Sequence, residues 1–262
     1  MKLSQIACRN IWRVIISPIL MKNRYSFMKT QLFAVLVSIG AASVASAADI
    51  TGKVVLKGTP PPEITIDMST SPDKTCGAAH STPVTTRHYL VSKDGGLANV
   101  LVYVKSGLEG KTFPAPAEAP TLDQVGCLYE PYVMGVRVNQ KFKVKNSDAT
   151  MHNVHATPKA NQEFNIAQPL KDQVTERSFD KSEVPVRFMC NVHAWMFAYV
   201  GVFDHPFFAV TDKDGNFKIS GLPNGKYTVE AYHVKTHRDG PGVSKEVNVT
   251  GDTKAEFTIE LK

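Results

Sequence analysis

Three side chains that bind soft metal ions share one short segment, Val186-Arg187-Phe188-Met189-Cys190-Asn191-Val192-His193-Ala194-Trp195-Met196. The thiol of Cys190, the imidazole of His193 and the thioether of Met196 stand at i, i+3 and i+6. Thiolate and thioether donors select soft or borderline ions, and imidazole suits copper, zinc and iron. Val186 to Cys190 alternates like a strand and leads directly into the set, so the donors lie on a loop able to wrap one ion. A second imidazole is available in Met151-His152-Asn153-Val154-His155, just past the strand-like run Lys141 to Asn146. Along a strand His152 and His155 point to opposite sides, so only one of them can face the loop. Met151 and Met189 are rival thioethers, although a strand turns Met189 away from the side that Cys190 faces. Two imidazoles, one thiolate and one weak thioether are the donor set of a one-electron copper centre.

Each donor also has an ordinary use. A lone cysteine is commonly buried as a small hydrophobe, methionine fills cores, and a histidine sits at the surface. It is the combination, at this spacing and with an upstream imidazole, that argues for a metal. Such a centre needs a frame that holds one geometry in both oxidation states, so the elements around it must be rigid.

The two segments resemble the type 1 copper proteins, the cupredoxins. There a His-Asn step supplies the first ligand, and a late Cys-x-x-His-x-x-Met loop supplies the other three. The compact loop is most similar to the amicyanin and plastocyanin type, and the likeness covers Leu122 to Phe203. It implies His152 as first ligand, Cys190 as thiolate, His193 as second imidazole and Met196 as the long axial ligand to one type 1 copper ion. It favours His152 over His155 because Asn153 follows, and it gives Asn153 the task of tying the His152 segment to the Cys190 loop. It further implies a periplasmic carrier of single electrons, with His193 as the point of electron exchange. The partner would be a periplasmic redox protein such as a c-type cytochrome or a dehydrogenase.

The chain from Phe208 onward has another character. Thr211-Asp212-Lys213-Asp214-Gly215-Asn216-Phe217 and Leu222-Pro223-Asn224-Gly225-Lys226-Tyr227 read as two hairpins with Asp-Gly and Asn-Gly turns. These residues resemble the carboxypeptidase regulatory-like, or transthyretin-like, sandwich. Its opening strands match Gly52-Lys53-Val54 and Ala98-Asn99-Val100-Leu101-Val102, far upstream. Either the copper module interrupts this sandwich after its second strand, or a copper module simply precedes a C-terminal one. The combination resembles bacterial methylamine-utilisation-type proteins.

The expected architecture is all-β: a Greek-key cupredoxin β-sandwich plus a second small β-sandwich, with little helix. The divisions are a leader over 1–47, N-terminal strands over 49–105, the copper module over 122–206 and the regulatory-like sandwich over 207–262. Short strands recur at regular spacing, and no long amphipathic pattern comes after the leader. Leu97 to Lys105 is the strongest strand signal, rich in β-branched and aromatic residues. Asp67 to Arg87 reads as a long surface loop that a disulfide at Cys76 would tether, with His80, and beyond it His88, in solvent. His205 reads as a hydrogen-bonded structural histidine.

Gln31 to Ala47 is a small-residue and apolar run ending in Ala45-Ser46-Ala47, a signal-peptidase pattern, so the mature chain should start near Ala48. The run is too short and too diluted for a stable membrane span. Six of the 30 basic residues, from Lys2 to Lys29, lie in this leader, which leaves 24 against 24 acidic side chains in the mature chain. The formal charge of +6 is therefore a targeting signal and not a nucleic-acid footprint. An exported chain keeps Cys76, Cys127 and Cys190 where thiols pair. With Cys190 engaged by metal, the economical assignment is a Cys76–Cys127 disulfide, which sequence alone leaves open.

Three functional classes compete. A copper reductase or oxidase would need further histidine clusters, and the sequence has no His-x-His repeat. The Cys-x-x-Cys-His step of covalent haem is also missing, so copper would be the only redox centre. The third class is an interaction protein whose sandwich docks a partner while copper is only carried.

Overall fold

The computed structural model describes residues 47–70, 74–238 and 240–261. Of the expected leader, 1–47, only Ala47 lies among these residues, and Ala48, the expected mature start, follows it in the first strand. In chain order the strands are β1 (Ala47–Lys57), β2 (Val100–Ser106), β3 (Thr121–Val125), β4 (Leu128–Glu130), β5 (Val133–Arg137), β6 (Phe142–Asn146), β7 (His152–Thr157), β8 (Phe164–Gln168) and β9 (Val174–Arg177). Next come β10 (Glu183–Met189), β11 (Phe197–Phe203), β12 (Phe208–Val210), β13 (Asn216–Pro223), β14 (Gly225–His233), β15 (Val243–Val249), β16 (Thr253–Lys254) and β17 (Phe257–Glu260). One short helix, α1 (Thr75–Ala78), and one 3-10 turn, Met68–Thr70, are the helical pieces among the described residues. The protein is all-β.

Four sheets pair into two sandwiches. Sheet order β5-β11-β10-β7-β8 faces order β4-β3-β6-β9 across a core that includes Leu122, Phe142, Phe188 and Val200. This first sandwich carries the metal-ligand candidates. In the second, β1 pairs with β13, β16 and β17, while β2 lies between β12 and β14 in order β12-β2-β14-β15. Ile50, Val54, Val102, Phe217, Tyr227 and Phe257 share its core. The N-terminal and C-terminal strands thus build one sandwich around the intervening β3–β11.

Two-sided burial explains the loudest sequence signal. Val100, Val102 and Val104 of β2 face the core of the second sandwich, while Leu101 packs on its other side with Tyr132, Val133 and Phe203. A strand covered on both faces reads as a continuous apolar run instead of an alternating one. Gly52 marks a close approach of backbones: a Cβ there would stand 1.7 Å from the carbonyl oxygen of Ala255.

The two expected hairpins are sheet-to-sheet corners. β12 pairs with β2 and β13 with β1, so the Asp212–Gly215 turn crosses from one sheet to the other. The Asn224 step crosses back, since β14 joins β2 and β15. Turn chemistry fixed the chain reversal at both places. Pairing was decided by which apolar face each strand had to cover.

Because Ile50 is fully buried opposite Ile219, Ile50→Ala should cost about 2–5 kcal/mol in urea unfolding. A loss below about 0.5 kcal/mol, the range of surface substitutions, would show that β1 is no part of that core.

Candidate metal centre

β7 and β10 lie side by side, with Met189 opposite His155. His152 therefore opens β7 at the end of the sheet where β10 runs out into Cys190. The loop from Cys190 to Met196 is closed by its own backbone: the Cys190 amide donates to the Met196 carbonyl at 3.2 Å, and the Met196 amide to the His193 carbonyl at 3.0 Å. His152, His193 and Met196 are fully buried, and Cys190 nearly so. Parity works as expected along β7, since His155 is turned outward to Glu163 and Asn191. Met151 is exposed and Met189 only half-buried.

The donor atoms converge. Nδ1 of His152 lies 3.0 Å from Nδ1 of His193, which lies 3.8 Å from Sγ of Cys190, and all three lie within 4.8 Å of one another. An ion about 2.0 Å from imidazole and about 2.3 Å from thiolate spans donor pairs up to about 4.0 Å (N–N) and about 4.3 Å (N–S) apart, and the 3.0 Å and 3.8 Å separations fall within that reach. Asn153 binds the two segments together: its Oδ1 accepts from the amides of Asn191 (2.6 Å) and Val192 (3.3 Å) and lies 3.4 Å from Cys190 Sγ.

What aims the two rings is a third piece of chain. β3 and β4 are joined by a two-residue turn, Gly126 and Cys127, both in left-handed backbone (φ 61 and 55). Two positive φ values match the twist of a tight hairpin, and glycine adopts one at no cost. The turn amides donate to Asp148, Gly126 at 2.7 Å and Cys127 at 2.8 Å, and Asp148 also lies 2.8 Å from His152 Nε2. Burial works against the charge of Asp148, but the hydrogen bonds from His152 and the two amides hold its pKa below the usual carboxylate range. It is thus an acceptor, and His152 donates from Nε2. On the other side Cys127 is disulfide-bonded to Cys76, whose Sγ lies 3.4 Å from His193 Nε2. A disulfide sulfur has no hydrogen, so a hydrogen bond there is donated by the imidazole. Both rings are left presenting their Nδ1 lone pairs to each other at 3.0 Å. Two lone pairs at that distance repel unless a cation or a proton stands between them.

The electrostatic surroundings agree. Burial alone would lower the pKa of His152, yet Asp148 and Cys190 raise it to about 8. Burial would raise that of Cys190, yet both imidazoles and the amides of Asn153 and His193 bring it down to about 6. Both shifts favour a protonated imidazole beside a thiolate when no metal is bound.

Two expectations need correction. His193 is no exposed port for electrons: it is 0% accessible, beneath the disulfide, with Trp195 tilted against it at 5.2 Å and donating from its indole to the Cys127 carbonyl at 3.0 Å. The 67–87 segment is tethered by the disulfide as expected, with Cys76 buried on α1. His80 and His88 are half-buried, and His80 Nε2 reaches the Gly126 carbonyl at 2.7 Å. His205, in contrast, is the expected structural histidine, bonded to the Val104 carbonyl and the Phe207 amide. Sequence reasoning missed Asp148; its position four before His152 was the available signal.

Part of the chain is similar to copper proteins of known structure. A copper-containing nitrite reductase from Thermus scotoductus SA-01 is 17% identical, with a TM-score of 0.32, over 37% of this chain and 24% of the reductase. This chain therefore spans about a quarter of that enzyme's length. A purple cupredoxin from Nitrosopumilus maritimus is 21% identical over 32% of this chain and 98% of its own, with a TM-score of 0.27. An amicyanin variant in its oxidised form is 22% identical over 38% of this chain and 97% of its own, with a TM-score of 0.30. Similarity this low carries no argument about function. No family profile and no curated protein matches the sequence.

Asp148→Ala should weaken copper binding about 10–100-fold, the usual effect of losing the partner that orients a ligating imidazole. Competition with a chelator of known affinity measures this, and an unchanged affinity would contradict the role given to Asp148. With His152 protonated below about pH 8, binding must expel that proton while the thiolate is already formed above about pH 6. Apparent affinity should therefore rise about tenfold per pH unit from 6 to 8 and level off above. A flat profile over that range would contradict the proton assignment.

Proposed function

We propose that the chain binds one copper ion through His152, Cys190, His193 and Met196 and carries single electrons between redox partners. The observation that supports this best is the pair of Nδ1 atoms at 3.0 Å with Cys190 Sγ beside them, both Nε2 atoms being held elsewhere. Copper bound there would supply a one-electron couple at a thiolate-imidazole centre. The protein's part is to hold the donors still. His152 sits on β7, Asn153 fixes the start of the Cys190 loop, and Asp148 with the disulfide sets the two ring orientations. Burial of every donor keeps water out of the coordination sphere, so little has to rearrange when charge moves.

In this reading the protein is exported to the periplasm, where the Cys76–Cys127 bridge persists, and its partner is a redox protein such as a c-type cytochrome or a dehydrogenase. Among the described residues no helix is long and apolar enough to cross a membrane. The outer sandwich is of the regulatory-like kind. Electrons reach the centre through what covers His193, namely the disulfide and Trp195, not through a bare imidazole edge.

One observation favours a second reading. His193 is sealed beneath the disulfide, which suits a copper carrier or interaction protein whose metal does not cycle.

Titration of the purified protein with copper should give an intense visible band at one equivalent, and Cys190→Ser should abolish it, because a hydroxyl is neither soft nor ionised enough to replace the thiolate. Met196→Leu should keep the colour and raise the potential, since the oxidised ion loses more than the reduced one when the axial donor goes. Repeated chemical reduction and reoxidation separates the two readings: a reversible band supports the carrier, and a band that bleaches once and does not return supports the second. A colourless wild-type complex would remove the type 1 assignment altogether.

A further inference from the structure

On the reverse face of the sheet that ends in Cys190, the two sandwiches leave a cavity of about 670 Å³ between them. Arg187, Phe197 and Tyr199 line it from β10 and β11, and Tyr232, Lys235 and Arg238 from the end of β14 and the segment after it. Its volume lies in the range of small-molecule sites, and a junction between folded units is where such sites occur.

The lining is aromatic and positively charged. Arg187 holds its guanidinium 4.5 Å above the ring of Phe197, so its planar fork is preset. Lys159, Arg187, Lys235 and Arg238 all border the cavity, and none of them makes an ion pair among the described residues. Two described acids near it, Glu183 in the lining itself and Glu63, are engaged with backbone. Glu183 accepts from the amides of Lys159 (2.5 Å) and Ala160 (2.9 Å) and from Asn161 Nδ2 (3.1 Å). Glu63 accepts from the amides of His88 (3.0 Å) and Tyr89 (2.5 Å) and from the Thr86 hydroxyl. Burial, and then the charges of Arg238 and Arg187, push the pKa of Lys235 down against the opposing pull of Glu63, as expected where positive charge is under-compensated. A further polar group there is unsatisfied: Nδ1 of His88, which also lines the cavity, is buried without a hydrogen-bond partner among the described residues.

We propose that this cavity binds a small organic anion with a flat apolar body, of the aromatic carboxylate class. Its carboxylate would meet Arg187 and Lys235, and its ring would lie among Phe197, Tyr199 and Tyr232. A bare inorganic anion would leave the aromatic walls uncovered, and a cation would face three or four like charges. The site needs no metal, so it stands or falls separately from the copper reading.

Calorimetric titration of the metal-free protein with benzoate, benzylamine and inorganic phosphate at fixed ionic strength tests it. Benzoate should bind saturably at one site, with benzylamine and phosphate at least about tenfold weaker. Arg187→Gln and Lys235→Gln should each weaken benzoate about tenfold or more, as expected on losing a charge-assisted hydrogen bond. Lys235 lies past the end of β14, so its variant keeps the test readable even if loss of the Arg187 contact with Phe197 disturbs folding. No saturable benzoate binding, equal binding of benzylamine or phosphate, or a folded Lys235→Gln variant that binds benzoate like wild type would overturn the proposal.

Discussion

The Gly126–Cys127 turn is the constraint on which the metal centre depends. Its two amides fix Asp148, which fixes the ring of His152; its cysteine fixes Cys76, whose sulfur meets the ring of His193; its carbonyl takes the indole of Trp195. None of these groups is among the metal donors. Together they decide which nitrogen each imidazole offers, and so turn two buried histidines into a pair of facing lone pairs. The disulfide therefore does more than shorten the unfolded chain: it is a wall of the site. Its loop separation of 51 residues corresponds to about 4 kcal/mol of unfolded-state entropy.

The same arrangement leaves the candidate donors dry, under a disulfide and an indole, with no solvent access to His193. The second sandwich is built by strands from both ends of the described chain, and the two sandwiches share an aromatic interface including Tyr132, Phe203 and Tyr232.

Much of this was legible before the structure. Donor spacing at Cys190, His193 and Met196 depends on loop length, and strand parity separates His152 from His155; both are local properties that a sequence displays. Asn153 was readable because it directly follows a donor. What stayed hidden is what long-range pairing decides. Asp148 looks like any turn aspartate until the hairpin amides are brought to it. The cover over His193 depends on α1, about 117 positions upstream of the imidazole, being tied across by Cys76. The Asp-Gly and Asn-Gly steps announced reversals, but whether a reversal makes a hairpin or a corner depends on the core faces available to each strand, which no local window contains.

X-ray absorption at the copper edge of the loaded protein tests the central claim most directly. The donor geometry predicts a shell with one short sulfur scatterer and two imidazole nitrogens, unchanged in number between oxidised and reduced samples. A shell of nitrogen and oxygen alone, or one whose sulfur is still present in Cys190→Ser, would contradict it.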